Sequence, residues 1–140
     1  MLEGFNVNYT VKVLWGEIDA MMHVNNVYYL RWAESARVEY FYKIGLFFDD
    51  FKKIGPILAW QDCKYIVPIT FPDEITIGIR TEEVRDDRYS LVCHFWSKKH
   101  QRLCAISRHT IVSYDYRKKQ KVPLPAKWVA KIKEIDNPEL

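Results

Sequence analysis

From Val7 to Trp15 every second residue is apolar (Val7, Tyr9, Val11, Val13, Trp15), the period of a strand with one face buried. Polar and charged residues then break the pattern from Gly16 to Asn26. Beyond Asn26 the period changes. Leu30, Ala33, Arg37, Phe41 and Ile44 recur at helical spacing, and Val27 to Leu46 holds no proline and one glycine, Gly45. A helix of about five turns, roughly 30 Å long, is expected there. Asn25 or Asn26 suits its start, because an asparagine oxygen can accept an unpaired amide of the first turn. Ala33, Ser35 and Ala36 are small enough to let the helix backbone approach a sheet closely.

The rest reads as strand until near the C-terminus. Ile57 to Val67 is apolar and aromatic and stops at Pro68. Ile75, Ile77 and Ile79 alternate with Thr76, Gly78 and Arg80, and Tyr89, Leu91, Cys93 and Phe95 alternate after a turn containing Asp86 and Asp87. Leu103 to Tyr114 is the last strand. A basic turn, then Pro123 and Pro125, lead to a short amphipathic helix carrying Trp128, Val129, Ile132 and Ile135. The order is strand, long helix, four strands, closing helix. Short links make the four strands expected antiparallel neighbours. The class is α+β, an antiparallel sheet around one long helix. No repeat or composition shift divides residues 1–140, so a single domain is expected.

Composition narrows the function classes. The 140 residues are 49% hydrophobic and 15% aromatic, enough for a core and against disorder. A net charge of +3 is too small to argue for nucleic acid. Its basic residues do cluster, at Lys98, Lys99 and Arg102 and at Arg117, Lys118, Lys119 and Lys121. These are either solvated turns or holders of a phosphate-bearing ligand. Cys63, Cys93 and Cys104 form no CxxC or Cys/His group, so buried free thiols are expected and no metal. No apolar run is long enough to span a membrane, and MLEGFNVNYT lacks the features of a secretory signal. A cytoplasmic protein is expected.

Several catalytic signatures are missing: a GxSxG elbow, a phosphate-cradling glycine loop and HExxH. Cys93 and His94 are adjacent in a strand and face opposite ways, so they cannot form a nucleophile–base pair. Chemistry concentrates between Trp15 and Arg37, where Asp19, His23, Asn25 and Asn26 occupy eight positions at a helix start. The unpaired N–H groups and partial positive charge there suit a carbonyl oxygen and the oxyanion it becomes. A carboxylate just upstream can attack that carbonyl or activate water. The plainer reading also stands: Asp19 makes a turn, His23 packs and the asparagines cap.

Asp19, the run His23-Val24-Asn25-Asn26, Tyr29, Trp32, Glu34, Ala36 and Arg37 together resemble the acyl-CoA thioesterases of the 4-hydroxybenzoyl-CoA thioesterase superfamily, and the plant acyl-ACP thioesterases. The likeness continues through Phe71 to Ile77 and Val112 to Pro125, nearly the whole chain. It implies a hotdog fold, a homodimer or homotetramer with active sites at the subunit interface, and hydrolysis of an acyl-CoA or acyl carrier protein thioester without a cofactor. Asp19 matches the catalytic nucleophile or general base, and the Asn26 N–H matches the carbonyl-polarising amide. His23 matches a residue catalytic in the plant branch and supporting in bacterial relatives. Glu34 matches a structural glutamate, pairing with Arg37 or orienting the loop.

One departure stands between Asp19 and His23. Met21 and Met22 occupy positions where relatives carry small or polar residues, and Met21 stands at the functional asparagine of the plant enzymes. Methionine cannot supply that hydrogen bond but can line an acyl tunnel, as Tyr29 can. The resemblance also makes Arg85, Arg88, Lys98 and Lys99 candidates for the phosphates of coenzyme A. Two rivals remain. A hydratase or dehydratase of the same fold has different Asp–His or His–acid spacing, and a non-catalytic acyl-CoA-binding module would need no turnover.

Overall fold

The computed structural model describes residues 2–46 and 53–137. Among them, six strands form one antiparallel sheet and two α-helices pack on it. The strands are β1 (Val7–Lys12), β2 (Ile54–Tyr65), β3 (Glu74–Val84), β4 (Arg88–Ser97), β5 (Arg102–Asp115) and the two-residue β6 (Gln120–Lys121); the helices are α1 (Val27–Lys43) and α2 (Ala126–Asp136). The expected alternation of isoleucines in β3 buries Ile75, Ile77 and Ile79 completely, beside Leu91, Cys93 and Phe95 of β4.

Helix α1 lies over β1 and β3. Its buried stripe is Tyr29, Trp32, Ala33, Ala36, Arg37 and Tyr40, so Leu30 and Phe41 sit at its margin. Fully buried Ala33 and Ala36 let the backbone close on the sheet, as their size implies. The helix stops earlier than its apolar pattern. Gly45 takes φ +81, and the N–H groups of Gly45 and Leu46 return to the carbonyls of Tyr42 and Phe41. That reverse-turn cap needs a left-handed residue, which glycine adopts without a Cβ clash.

Two expectations are corrected. Strand β1 ends at Lys12, not Trp15. The Glu17 carboxylate accepts the Leu14 N–H at 2.7 Å, which turns the chain into a 3₁₀ turn at Trp15–Glu17 and leaves Trp15 67% exposed. The four later strands are not all sequential neighbours either. The order is β1-β3-β4-β5-β2, so β2 pairs with β5 and forms an edge. Residues 66–73 are long enough to carry the chain across the end of the sheet, whereas the β3–β4 and β4–β5 links are true hairpin turns.

The other face of the sheet is partly covered by the N-terminal segment. Phe5 lies so close to Gly78 that an added Cβ would sit 2.5 Å from its ring, and the ring also packs on His94. Helix α2 buries Trp128 and Ile132, and its Asp136 accepts both the Tyr40 O–H at 2.5 Å and the Thr81 N–H at 2.9 Å.

Candidate active site

The segment between β1 and α1 folds into a tight loop closed by a bridge between Ile18 and Val24. Within it the Asp19 N–H donates to the His23 carbonyl and the Met22 N–H to the Asp19 carbonyl, both at 3.0 Å. The closing residue Met22 adopts φ +65, a conformation in which a side chain is strained. This gives the departure at Met21 and Met22 a backbone consequence: the turn requires a left-handed residue and has a methionine there.

Asp19 is half-buried and oriented by two donors. Its Oδ1 accepts the Met21 N–H at 2.9 Å and its Oδ2 accepts the Asn25 Nδ2–H at 3.3 Å. Asn25 also serves as the cap: its Oδ1 accepts the Val27 N–H at 3.1 Å, and its carbonyl accepts the Tyr28 N–H. The Tyr29 N–H bonds the Asn26 carbonyl at 3.3 Å. Among the first amides of the helix, that leaves the Asn26 N–H without an acceptor among the described residues. An unpaired amide at the positive end of a helix is a ready donor for a carbonyl oxygen or oxyanion.

A cavity of about 290 Å³ brings together Asp19, His23, Asn26, Met21, Tyr29 and Tyr65. Tyr29 and Tyr65 meet edge to face at 4.9 Å in its wall, and burial pushes the Tyr29 hydroxyl up to about 12, so it is a neutral phenol there. Met21 is 76% exposed and Met22 63%; Met21 lines the mouth, while Met22 is not among the lining residues. The His23 side chain is exposed beside Asp19 with no hydrogen bond among the described residues.

The basic candidates separate. Lys98 and Lys99 sit at the β4–β5 turn and line a neighbouring groove of about 450 Å³ with Lys12, Phe71 and Asp73. Trp15 packs edge to face on Phe71 at 5.4 Å, so this groove flanks the loop that carries Asp19. Asp73 holds the turn, accepting the Lys99 N–H at 3.0 Å and the Ser97 O–H at 2.5 Å. Arg85 and Arg88 lie at the opposite end of the same hairpin, roughly 30 Å away along strands of this length. There they pair with Glu83 and Asp87, both at 2.8 Å. Glu34 is also elsewhere than expected: it is exposed and pairs with Arg31 at 3.5 Å rather than with Arg37.

Glu17 was not singled out by sequence reasoning. It is buried, and its two oxygens accept the Leu14 N–H and the Trp32 indole N–H at 3.1 Å, while its carbonyl accepts the Asn25 N–H. It therefore ties both ends of the Asp19 loop to α1. Its only sequence signal is an acid within a polar stretch two residues before Asp19.

The model of the Thioesterase-like superfamily matches residues 13–132, and the chain belongs to that superfamily. A protein of Bacillus subtilis (strain 168), YsmA, is 29% identical over 85 residues, 61% of this chain and 56% of that protein, so the match spans just over half the relative's length. Among solved structures, a thioesterase from Thermus thermophilus complexed with coenzyme A and zinc superposes with TM-score 0.87 at 24% identity, covering 99% of this chain and 100% of that one. A 1,4-dihydroxy-2-naphthoyl-CoA thioesterase from Synechocystis gives TM-score 0.82 at 16% identity, covering 94% and 98%. At such identities the likeness establishes the hotdog fold.

Proposed function

We propose that this chain hydrolyses an acyl-CoA-type thioester at the cavity beside Asp19, releasing a free acid and a thiol. The observation that carries the reading is the pairing of a carboxylate held by Met21 N–H and Asn25 Nδ2–H with the acceptor-free Asn26 N–H on the same cavity. The thioester carbonyl oxygen accepts the Asn26 N–H, which stabilises the charge that grows on it during attack. Asp19 either attacks the carbonyl carbon, forming an anhydride that water then opens, or takes the proton of an attacking water. His23, exposed at the rim, supports the loop through its backbone. Tyr29 and Met21, which line the cavity, contact the acyl group, whereas Met22 shapes the turn and lies outside it. Lys98 and Lys99, on the adjoining groove, hold the phosphates of the thiol carrier.

Two further features belong to this reading. Strand β2 is an edge with Ile57, Leu58, Trp60 and Tyr65 exposed, and Tyr65 also lines the cavity. An unpaired edge with exposed apolar side chains supports a homodimer that joins there, with the cavity at the seam. No helix among the described residues is long and apolar enough to cross a membrane; action in the cytoplasm completes the proposal.

The test is thiol release from acyl-CoAs ranging from acetyl to palmitoyl, benzoyl and 4-hydroxybenzoyl, with wild type and Asp19→Asn side by side. The substitution keeps the Met21 contact and removes the charge. Turnover lower by about two orders of magnitude in the variant is expected. Equal turnover removes Asp19 from the mechanism, and binding without turnover of any ester identifies a binding module.

A further inference from the structure

A buried cation with no carboxylate partner among the described residues lies deeper along α1. Arg37 is 7% exposed, and its one hydrogen bond among the described residues goes to His109 Nδ1 at 3.0 Å. His109 is fully buried, with Nε2 2.7 Å from Ser107 Oγ. Burial first, and then the charge of Arg37, pull His109 down to about 3, so its ring is neutral; its Nδ1 lies 3.0 Å from both Arg37 Nη1 and Gln61 Oε1, and none of these groups carries a negative charge. The carboxylate that acts on Arg37 is Glu34, which is exposed and engaged by Arg31. Tyr89, within reach of the same guanidinium's field, has a buried hydroxyl without any partner among the described residues. Buried cations are ordinarily matched by an anion, because desolvation without one is strongly unfavourable. Here a cation and an unused donor share one interior region, and Arg37 forms no ion pair among the described residues.

Two independent elements fix how far this region lies from the candidate active site. On α1, Arg37 follows Tyr29 by eight residues, a rise of roughly 12 Å. On the inner face of β2, Gln61 pairs with His109 and Tyr65 with Ala105, so the Arg37 level is two side-chain steps from Tyr65, roughly 13 Å. Tyr29 and Tyr65 themselves meet in the cavity wall. Between the levels stand Ala33 and Cys63, both short side chains, and Cys63 and Gln61 stay half-exposed on the edge strand. A chain leaving the cavity between α1 and β2 would pass small side chains and end at a guanidinium.

We propose that Arg37, with the Tyr89 hydroxyl, recognises a carboxylate at the far end of the acyl group. This rests on the thioesterase reading and names its substrate class: ω-carboxyacyl thioesters, the half-thioesters of linear dicarboxylic acids. Allowing for the reach of the arginine side chain back toward the helix start, the ~12 Å span fits about eight to ten carbons. The carboxylate supplies the counter-charge that no described residue provides, and Arg37 presents the planar donor pair that binds it bidentately.

Hydrolysis of suberyl-CoA against octanoyl-CoA, and of sebacyl-CoA against decanoyl-CoA, tests this at equal chain length. Wild type is expected to favour the ω-carboxy ester in kcat/KM by about tenfold or more, since a site built for a charged group discriminates strongly against its absence. In Arg37→Met that ratio collapses to about one or below; Arg37→Lys, which keeps the charge and the fold but not the fork, lowers it by part of that amount. A wild type that hydrolyses the plain ester equally well, or a ratio unmoved in Arg37→Lys, overturns the proposal while leaving the thioesterase reading intact. If no ester is hydrolysed, that reading fails instead, and free suberate reads the site separately: thermal stabilisation of wild type that is lost in Arg37→Lys supports the carboxylate site, and its absence overturns it.

Discussion

The Glu17 carboxylate accepts the indole N–H of Trp32 at 3.1 Å, joining the loop that carries Asp19 to the second turn of the helix whose first turn offers the free Asn26 amide. A carboxylate and an amide supplied by different segments keep a fixed relation only if something spans the two. Glu17 is that link, and its other oxygen bends the chain at Leu14.

Glu17→Ala should therefore do two things. It leaves the Trp32 indole N–H buried without an acceptor, a loss of about 1–3 kcal/mol, and frees the Leu14 N–H to water. It also loosens the loop, lowering kcat more than it raises KM. Urea denaturation and steady-state kinetics on one preparation separate the effects. Unchanged kcat at reduced stability would make Glu17 a fold residue alone.

The left-handed Met22 yields a stabilising substitution. Met22→Gly relieves a strained conformation, offset by the greater freedom of glycine in the unfolded chain. The net expectation is a gain of about 0.5–1 kcal/mol, read as a higher urea midpoint at constant slope. Met22→Val should lose stability, because a β-branched residue tolerates that conformation worst.

His109 predicts a pH dependence. Its folded value, about 3, lies below its ordinary 6.5, so between these limits the unfolded chain binds the proton that the folded chain refuses. Stability is then fully present above about pH 6.5 and declines as pH falls toward 3, by roughly a few kcal/mol. His109→Gln should flatten that part of the stability curve relative to wild type. Identical slopes in the two proteins from about pH 6.5 to about 4.5 would mean that the imidazole is accessible to protons in the folded state.

The two basic turns should behave differently. Replacing Lys98 and Lys99 by alanine is expected to raise KM for a CoA ester several-fold with kcat retained, since phosphate contacts remote from the carbonyl contribute mainly uniform binding. Replacing Arg85 and Arg88, about 30 Å off along the hairpin, should leave both constants near wild type. A larger KM effect at the arginines would relocate the phosphate site to the other end of the sheet, where a second subunit would have to bring it to the cavity.

Local chemistry was legible in the sequence. Period-two alternation in Ile75, Ile77 and Ile79 and the proline-free stretch after Asn26 marked their elements because burial of one face imposes a repeat on the chain itself. Asp19, His23 and Asn26 stood out because they crowd a helix start, and the structure gathers them on one cavity. Strand order was not legible: β2 reads the same whether it neighbours β3 or β5, and only the closing of the sheet decides. The same holds for Glu17 holding Trp32, for Arg37 facing His109 across seventy-two positions, and for the separation of Lys98 from Arg85. Hydrophobic periodicity and turn chemistry are properties of neighbours along the chain, so the sequence alone determines them. Which side chain meets which across the interior depends on how the elements pack, and that is settled only when the sheet and the helix close on each other.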